Sequence, residues 1–313
     1  MGHPRPFRFG VQLAQARDAA EWAALARKAE DLGFSTLFMP DHFTDMLAPL
    51  PGLMAAADAT TTLKVAPLVL DNDYKHPVVT AKELATLDLL SDGRLEVGIG
   101  AGWMASDYEQ SGIPMEAPGV RVDRLEEAVA ILKGLFAEGA VDFAGEHYTI
   151  TGLDGRPKPV QQPHPPFLIG GAQPRMLRFA AREADIIGVN PAIKSGRIGA
   201  DASQDGMAAR TDEKLAWVRE AAGDRYHQIE INFLNYACVV TDDRPGTLET
   251  MAPLFALTPD DLAEYPHAWI GSVDEISDKL QADRDRWDAS YLVVQGIDAM
   301  EAAAPIVARL AGA

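Results

Sequence analysis

Short apolar runs alternate with longer stretches of helical periodicity along the whole chain. Residues 9–13 form the first apolar run. Asp18 then caps an alanine- and leucine-rich helix pattern over 19–32, closed by Gly33. A second strand spans 36–40, a short helix 51–62 and a third strand 64–70. A helix over 78–90 carries apolar residues at 81, 84, 85, 87, 89 and 90, and the fourth strand lies within 94–99. An amphipathic helix over 122–137 precedes a hairpin pattern at 141–150 and a proline-rich connection at 155–166. The fifth strand, 166–169, leads into a helix over 174–184 with Pro174 in its first turn. The sixth strand is 185–190. The weakly periodic stretch 191–210 reads as a mobile loop, and Thr211-Asp212-Glu213 reads as a cap for a helix to 222. A seventh strand at 229–240, a short helical insertion in 244–268 and a helix over 273–287 follow. The eighth strand, 291–296, and a helix over 301–310 end the chain.

Eight strands, each followed by helix, predict a parallel sheet and a closed (β/α)8 TIM barrel, with insertions after strands four, six and seven. A doubly wound open sheet is the alternative. No boundary interrupts the pattern, so 1–313 is expected to be one domain. In such a barrel ligands meet the strand C-termini. Those ends carry Asp41 and His42, Asp71 and Asn72, and Gly100, Ala101, Gly102 and Trp103. They also carry Gly170, Gly171 and Ala172, then Gly188, Val189 and Asn190, and Gln295.

The stretch from Leu89 to Trp103 organises the chain. Ser91-Asp92-Gly93 is turn chemistry, with Gly93 free to take positive φ. Glycines at 98, 100 and 102 leave room for another backbone or for a flat ligand. Their spacing departs from the dinucleotide fingerprint G-x-G-x-x-G, and the chain has no Walker sequence, G-x-S-x-G or H-E-x-x-H. Gly170-Gly171-Ala172-Gln173-Pro174 opens a helix, where unpaired N–H groups suit a phosphate, although a Gly-Gly turn also serves geometry alone. His42, an imidazole at a strand end, can give or take a proton.

Composition narrows the options. With 47% hydrophobic and 24% charged residues the chain reads as an ordinary globular protein. A formal net charge of −18 opposes binding to nucleic acid or anionic lipid. No apolar run approaches the roughly 20 residues of a membrane span. The N-terminus lacks a signal-peptide core, so the expected location is cytoplasmic. A single cysteine, Cys238, excludes an intrachain disulfide and is expected to be a buried, inert thiol. His3, His76, His147, His164, His227 and His267 lack metal-ligand spacing, and Asp71 and Asp73 read as turn residues; no metal is expected.

The run from Thr86 through Asp92-Gly93-Arg94 to Gly102-Trp103 resembles the bacterial luciferase-like monooxygenase superfamily, closest to its coenzyme F420-dependent branch. Ala26 to Phe34, Thr36 to His42, His76 to Glu83, and Ile169 to Ala172 with Met176 and Ala180 to Asp185 extend the resemblance over nearly the whole chain. It implies a TIM barrel holding the deazaflavin F420, or alternatively FMN, in its mouth. It also implies a non-prolyl cis peptide between about Ala66 and Val69 beneath the ring, which brings Pro67 and Leu68 to the cofactor. By the same implication Gly170, Gly171, Ala172, Gly188, Val189 and Asn190 face its phosphate, and His42 lies near the hydride-transfer carbon. The related sugar-phosphate dehydrogenases place a glutamate where Trp103 stands, so Trp103 implies a more apolar substrate wall, on which Asn72 is also expected.

The implied reaction is hydride transfer between the deazaflavin and a small organic substrate, with His42 handling the proton. A reduced-FMN monooxygenase using molecular oxygen and supplied by a separate reductase is the nearest alternative. A non-catalytic flavin-binding barrel and a phosphate-binding barrel enzyme without flavin stand further off. Arg175, Arg178 and Arg182 share a helix face, with Lys194 and Arg197 nearby; they read either as a solvated basic face or as a seat for the coenzyme's acidic tail. The resemblance implies a homodimer, and segments 191–210 and 241–268 are expected to cover the site.

Overall fold

The computed structural model describes residues 5–193, 196 and 200–313. In chain order the first elements are β1 Arg8–Gln12, α1 Ala19–Asp31, β2 Thr36–Met39, α2 Pro49–Ala59, β3 Lys64–Pro67, β4 Leu70–Asp71 and α3 Pro77–Leu90. Then come β5 Val97–Gly100, α4 Ala105–Ser111, α5 Pro118–Phe136, β6 Ala140–Ala144, β7 Thr149–Asp154, β8 Phe167–Gly171 and α6 Pro174–Glu183. β9 Ile186–Val189, α7 Ala200–Asp205, α8 Ala208–Ala222, β10 Glu230–Leu234 and β11 Ala237–Val240 follow. The chain ends with α9 Arg244–Met251, α10 Pro259–Ala263, β12 Ala268–Gly271, α11 Val273–Trp287, β13 Ala289–Gln295 and α12 Ile297–Leu310. This alternation of strand and helix is that of the (β/α)8 barrel, with β3 and β4 together supplying the third strand. The chain divides into two compact units. One holds Met1–Leu13, Lys28–Leu37 and Gly170–Ala313; the other holds Ala14–Arg27 and Phe38–Ile169.

In the first unit β13 runs parallel between β1 and β10, with Gly10 opposite Val293 and Phe233 opposite Leu292. Every β13 residue except Gln295 is buried, as an apolar strand covered on both faces requires. β9 pairs with the other edge of β10, Ile187 opposite Ile231. α11 begins with a capping box, in which Ser272 and Glu275 satisfy each other's backbone N–H groups.

In the second unit β5 lies between β4 and β8, Leu70 opposite Ile99 and Leu168 opposite Gly98. Its approach is built as the sequence implied. Asp92 and Gly93 take φ of 54° and 74°. Arg94 then ties the turn down, donating to the carbonyls of Ser91, Leu63 and Ala57. Buried Asp88 accepts from the backbone N–H groups of Val160 and Gln161, which anchors the proline-rich connection.

Several expected elements are drawn differently. The third strand is split: β3 ends at Pro67, Leu68 N–H donates to Met39 O, and the Leu68–Val69 peptide is cis, inside the window the resemblance implied. The seventh strand also divides, because its backbone changes partner. Asn235 N–H donates to Val293 O, whereas Tyr236 N–H donates to His267 O, and β11 then pairs with β12 in a separate small sheet. The stretch read as a mobile loop contains α7; Lys194 and Arg197, like His3, lie outside the described residues. Thr211 is not a cap: α8 starts earlier, and the buried Thr211 hydroxyl donates to Met207 O. α4 was not anticipated at all. Cys238 is half-buried on β11, and desolvation still pushes its thiol up to about 12, which keeps it un-ionised.

Candidate functional site

β2 delivers Asp41 and His42 at its C-terminal end. His42 Nδ1–H donates to Asp107 Oδ2 at 2.7 Å, and the imidazole lies edge-on to Trp103 with ring centroids 5.4 Å apart. Asp107 sits in the first turn of α4 and is only 2% exposed. The same Oδ2 accepts the Tyr74 hydroxyl at 3.1 Å, and Oδ1 accepts Phe43 N–H at 3.3 Å. A buried carboxylate surrounded by donors fixes the imidazole's orientation and its tautomer. Nε2 is thereby left to exchange a proton.

A second buried group lies behind this pair in sequence order. Asp41 Oδ2 accepts Asp71 N–H at 3.1 Å. Asp71 accepts Asp73 N–H through Oδ1 and the Tyr108 hydroxyl through Oδ2, at 2.9 and 2.7 Å. Tyr108 also reaches Asp73 Oδ2 at 3.2 Å, and Arg124 pairs with Asp73 Oδ1 at 3.2 Å. Burial pushes the Asp71 carboxyl up to about 6, and it raises Asp41 and Asp73 as well. Burial raises the hydroxyls of Tyr74 and Tyr108 too, and the nearby Asp71 carboxylate adds to it. These tyrosines are donors at any working pH. Asn72, expected on the substrate wall, is buried, and its amide is directed to the Tyr148 hydroxyl at 3.4 Å.

The alternate glycines have distinct causes. A Cβ on Gly98 would fall 1.9 Å from Pro67 O, and one on Gly100 would fall 2.8 Å from Val69 Cγ2. Gly98 therefore admits the backbone at Pro67, and Gly100 admits the Val69 side chain. Gly102, at φ 74°, would place a Cβ 1.9 Å from the Tyr108 hydroxyl and 2.4 Å from Asp71 Oδ2. It makes room for that hydrogen bond. Arg121 closes the same loop, donating to Ala101 O and Glu116 O.

The first unit gathers the other expected group. Asn190 N–H donates to Gly171 O, and Lys214 Nζ donates to Asn190 O at 2.9 Å. Lys214 is buried and paired with Asp205 at 2.6 Å; burial pulls its ammonium below the usual range. A Cβ on Gly188 would lie 3.3 Å from Gly170 Cα and 3.4 Å from Asn190 Nδ2. Gly171, in contrast, clears Met176, which a Cβ would meet at 2.7 Å, so its glycine serves helix packing. Gln173 is the N-cap of α6 and makes no side-chain cap bond. Asn190 Oδ1 and both amide atoms of Asn235 are buried without a hydrogen-bond partner. Arg178 pairs with Glu220, while Arg175 and Arg182 are exposed.

Asp107, Tyr74, Tyr108, Arg124, Lys214 and Asp205 were not singled out from sequence. The one usable signal was Asp107 lying four residues beyond Trp103. Among the described residues no group of three or more His, Cys, Asp or Glu is arranged to hold a metal ion.

A family model for luciferase-like monooxygenases matches residues 1–289. The chain belongs to that family. The FMNH2-dependent dimethylsulfone monooxygenase of Pseudomonas putida is 28% identical over 198 residues, which is 63% of this chain and 50% of that one. The F420-dependent glucose-6-phosphate dehydrogenase of Amycolatopsis mediterranei is 26% identical over 225 residues, 65% of this chain and 66% of that one. The solved coenzyme F420-dependent tetrahydromethanopterin reductase of Methanopyrus kandleri aligns with TM-score 0.79 over 98% of this chain and 100% of its own, at 19% identity. That last likeness is one of fold. Luciferase-like relatives of both cofactor types thus surround the chain, and their activities support an enzyme.

Proposed function

We propose that this luciferase-like chain is a coenzyme F420-dependent oxidoreductase that moves a hydride between the deazaflavin and a small organic substrate. The observation that carries the reading is the His42–Asp107 pair, an oriented imidazole beside Trp103. Within the first unit, the buried and unpartnered Asn190 Oδ1 offers an acceptor to a bound polar group. Gly170, Gly171, Ala172, Gln173, Gly188, Val189 and Asn190 would hold its phosphate-bearing part. Within the second unit, Asp41, Pro67, Leu68, Gly100, Ala101 and Gly102 would border the ring.

When bound, the deazaflavin supplies two-electron hydride chemistry. His42 Nε2 gives or takes the substrate proton. Asp107 holds the ring through Nδ1, and Tyr74 and Phe43 N–H hold Asp107. Trp103 presents an apolar wall beside the imidazole and disfavours a sugar phosphate.

A second reading, a reduced-FMN monooxygenase served by a separate reductase, is favoured by the similarity to the sulfone monooxygenase. Fluorescence titration of the full chain with F420 and with FMN separates the two, and binding of neither would sink both. Turnover that survives His42→Ala unchanged would remove the proton role. We further place the enzyme in the cytoplasm as a homodimer without nucleic-acid or membrane partners; sedimentation tests the dimer. Among the described residues no helix is long and apolar enough to cross a membrane.

A further inference from the structure

We propose that a polar cleft in the second unit binds an oxyanion, the phosphate or carboxylate group of a small ligand, apart from the His42 site. The cleft has a volume of about 390 Å3, and every residue lining it carries a polar or charged group. Asn72 and Asp73 come from the 3₁₀ turn after β4, and Lys75 and His76 from the chain entering α3. Arg124 comes from α5, and His147 and Tyr148 come from the loop between β6 and β7. Three separate elements thus bring four cation-capable side chains together in a chain whose formal net charge is −18.

The carboxylates around the cleft are already engaged. Asp73 has a completely buried side chain, paired with Arg124 and accepting from Tyr108. Glu127 accepts the backbone N–H groups of Glu146, His147 and Tyr148. Glu83 pairs with Lys75 at the exposed side. What remains is a surplus of donors. His76 Nδ1 accepts Val78 N–H at 3.3 Å, so in the neutral ring the proton sits on Nε2. His147 Nε2 is buried and has no partner. Arg124 keeps further guanidinium N–H groups beyond its ion pair, and Lys75 keeps ammonium protons beyond Glu83. Convergent donors around a cavity whose one lining carboxylate, Asp73, is held in an ion pair with Arg124 meet the requirement for holding an oxyanion. The assignment does not rest on which flavin-type cofactor the enzyme uses.

The test titrates the full chain, labelled at its histidine side chains, with orthophosphate and separately with glutarate. Ionic strength is held constant with chloride, and NMR follows His42, His76 and His147. The expected result is a saturable displacement of the His76 and His147 signals, with Kd near ~1 mM. Lys75→Gln and His76→Gln should each weaken it about tenfold, a loss of about 1.4 kcal/mol. Arg124→Gln would strand buried Asp73, so these two exposed-side variants carry the test and are checked for an unchanged melting temperature. Tighter phosphate binding identifies a phosphate ester as the ligand class, and tighter glutarate binding identifies a carboxylate; either supports the site. No saturable shift with either anion overturns it. So does binding that both variants leave intact, or that moves His42 in place of His76 and His147.

Discussion

Asp71→Asn should make the folded chain more stable at neutral pH. Asp71 is 9% exposed, and burial dominates the rise of its carboxyl to about 6 from an ordinary 3.8. The folded state therefore binds a proton more tightly than the unfolded state does. Between those two values the folded chain carries more protons, so stability falls as pH rises from about 4 to about 6 and stays reduced above that range. The displacement is worth about 3 kcal/mol, an order-of-magnitude figure for a buried group. Asparagine removes the charge and can keep the contacts. Its carbonyl accepts Asp73 N–H, and its amide donates to the Tyr108 oxygen. The Tyr108 proton then passes to Asp73 Oδ2, already 3.2 Å away. Urea unfolding of both chains at about pH 8 should show the variant more stable by about 2–3 kcal/mol, and the gap should close by about pH 4. A variant less stable at the higher pH, or a gap independent of pH, would refute the reasoning.

His42→Gln should lower kcat by about 10²–10⁴-fold with little change in stability, and Asp107→Ala should cost a similar factor; steady-state kinetics of the double variant should show no further loss, since both act through one imidazole. Gly102→Ala should destabilise by about 3 kcal/mol or more in urea, because its Cβ enters the Asp71–Tyr108 hydrogen bond and its φ is left-handed. Lys214→Met should cost about 2–3 kcal/mol by the same assay, since it leaves Asp205 only Arg210 and Ala192 N–H as partners and releases the Asn190 carbonyl.

The strand–helix alternation was legible because each barrel strand is a short apolar run and each helix has a periodic face. What escaped were features decided by tertiary hydrogen bonds. Nothing in the run 229–240 announces that Asn235 N–H pairs with β13 while Tyr236 N–H pairs with the His267 carbonyl, yet that exchange splits the strand. α4 escaped because its seven residues carry no apolar repeat. His42 was found because a titratable side chain at a strand end is visible in sequence. Asp107 was not, because a carboxylate in a short polar helix looks solvated until the fold buries it. His76 and His147, scattered along the sequence, meet only because the chain entering α3 and the hairpin loop share one cleft.

The three alternate glycines sharpen the point. Identical spacing at 98, 100 and 102 suggests one purpose, a floor for a flat ligand. The structure divides the purposes. Gly98 and Gly100 are demanded by the protein's own backbone and Val69 side chain, so they need no ligand to explain them. Gly102 is demanded by a hydrogen bond between two other side chains. The consequence bears on the chemistry. By admitting the Tyr108 hydroxyl to Asp71, Gly102 lets the same α4 that supplies Tyr108 also supply Asp107 to His42. The glycine exit of the fourth strand thus serves the His42–Asp107 pair by seating a short helix, whichever cofactor the enzyme uses.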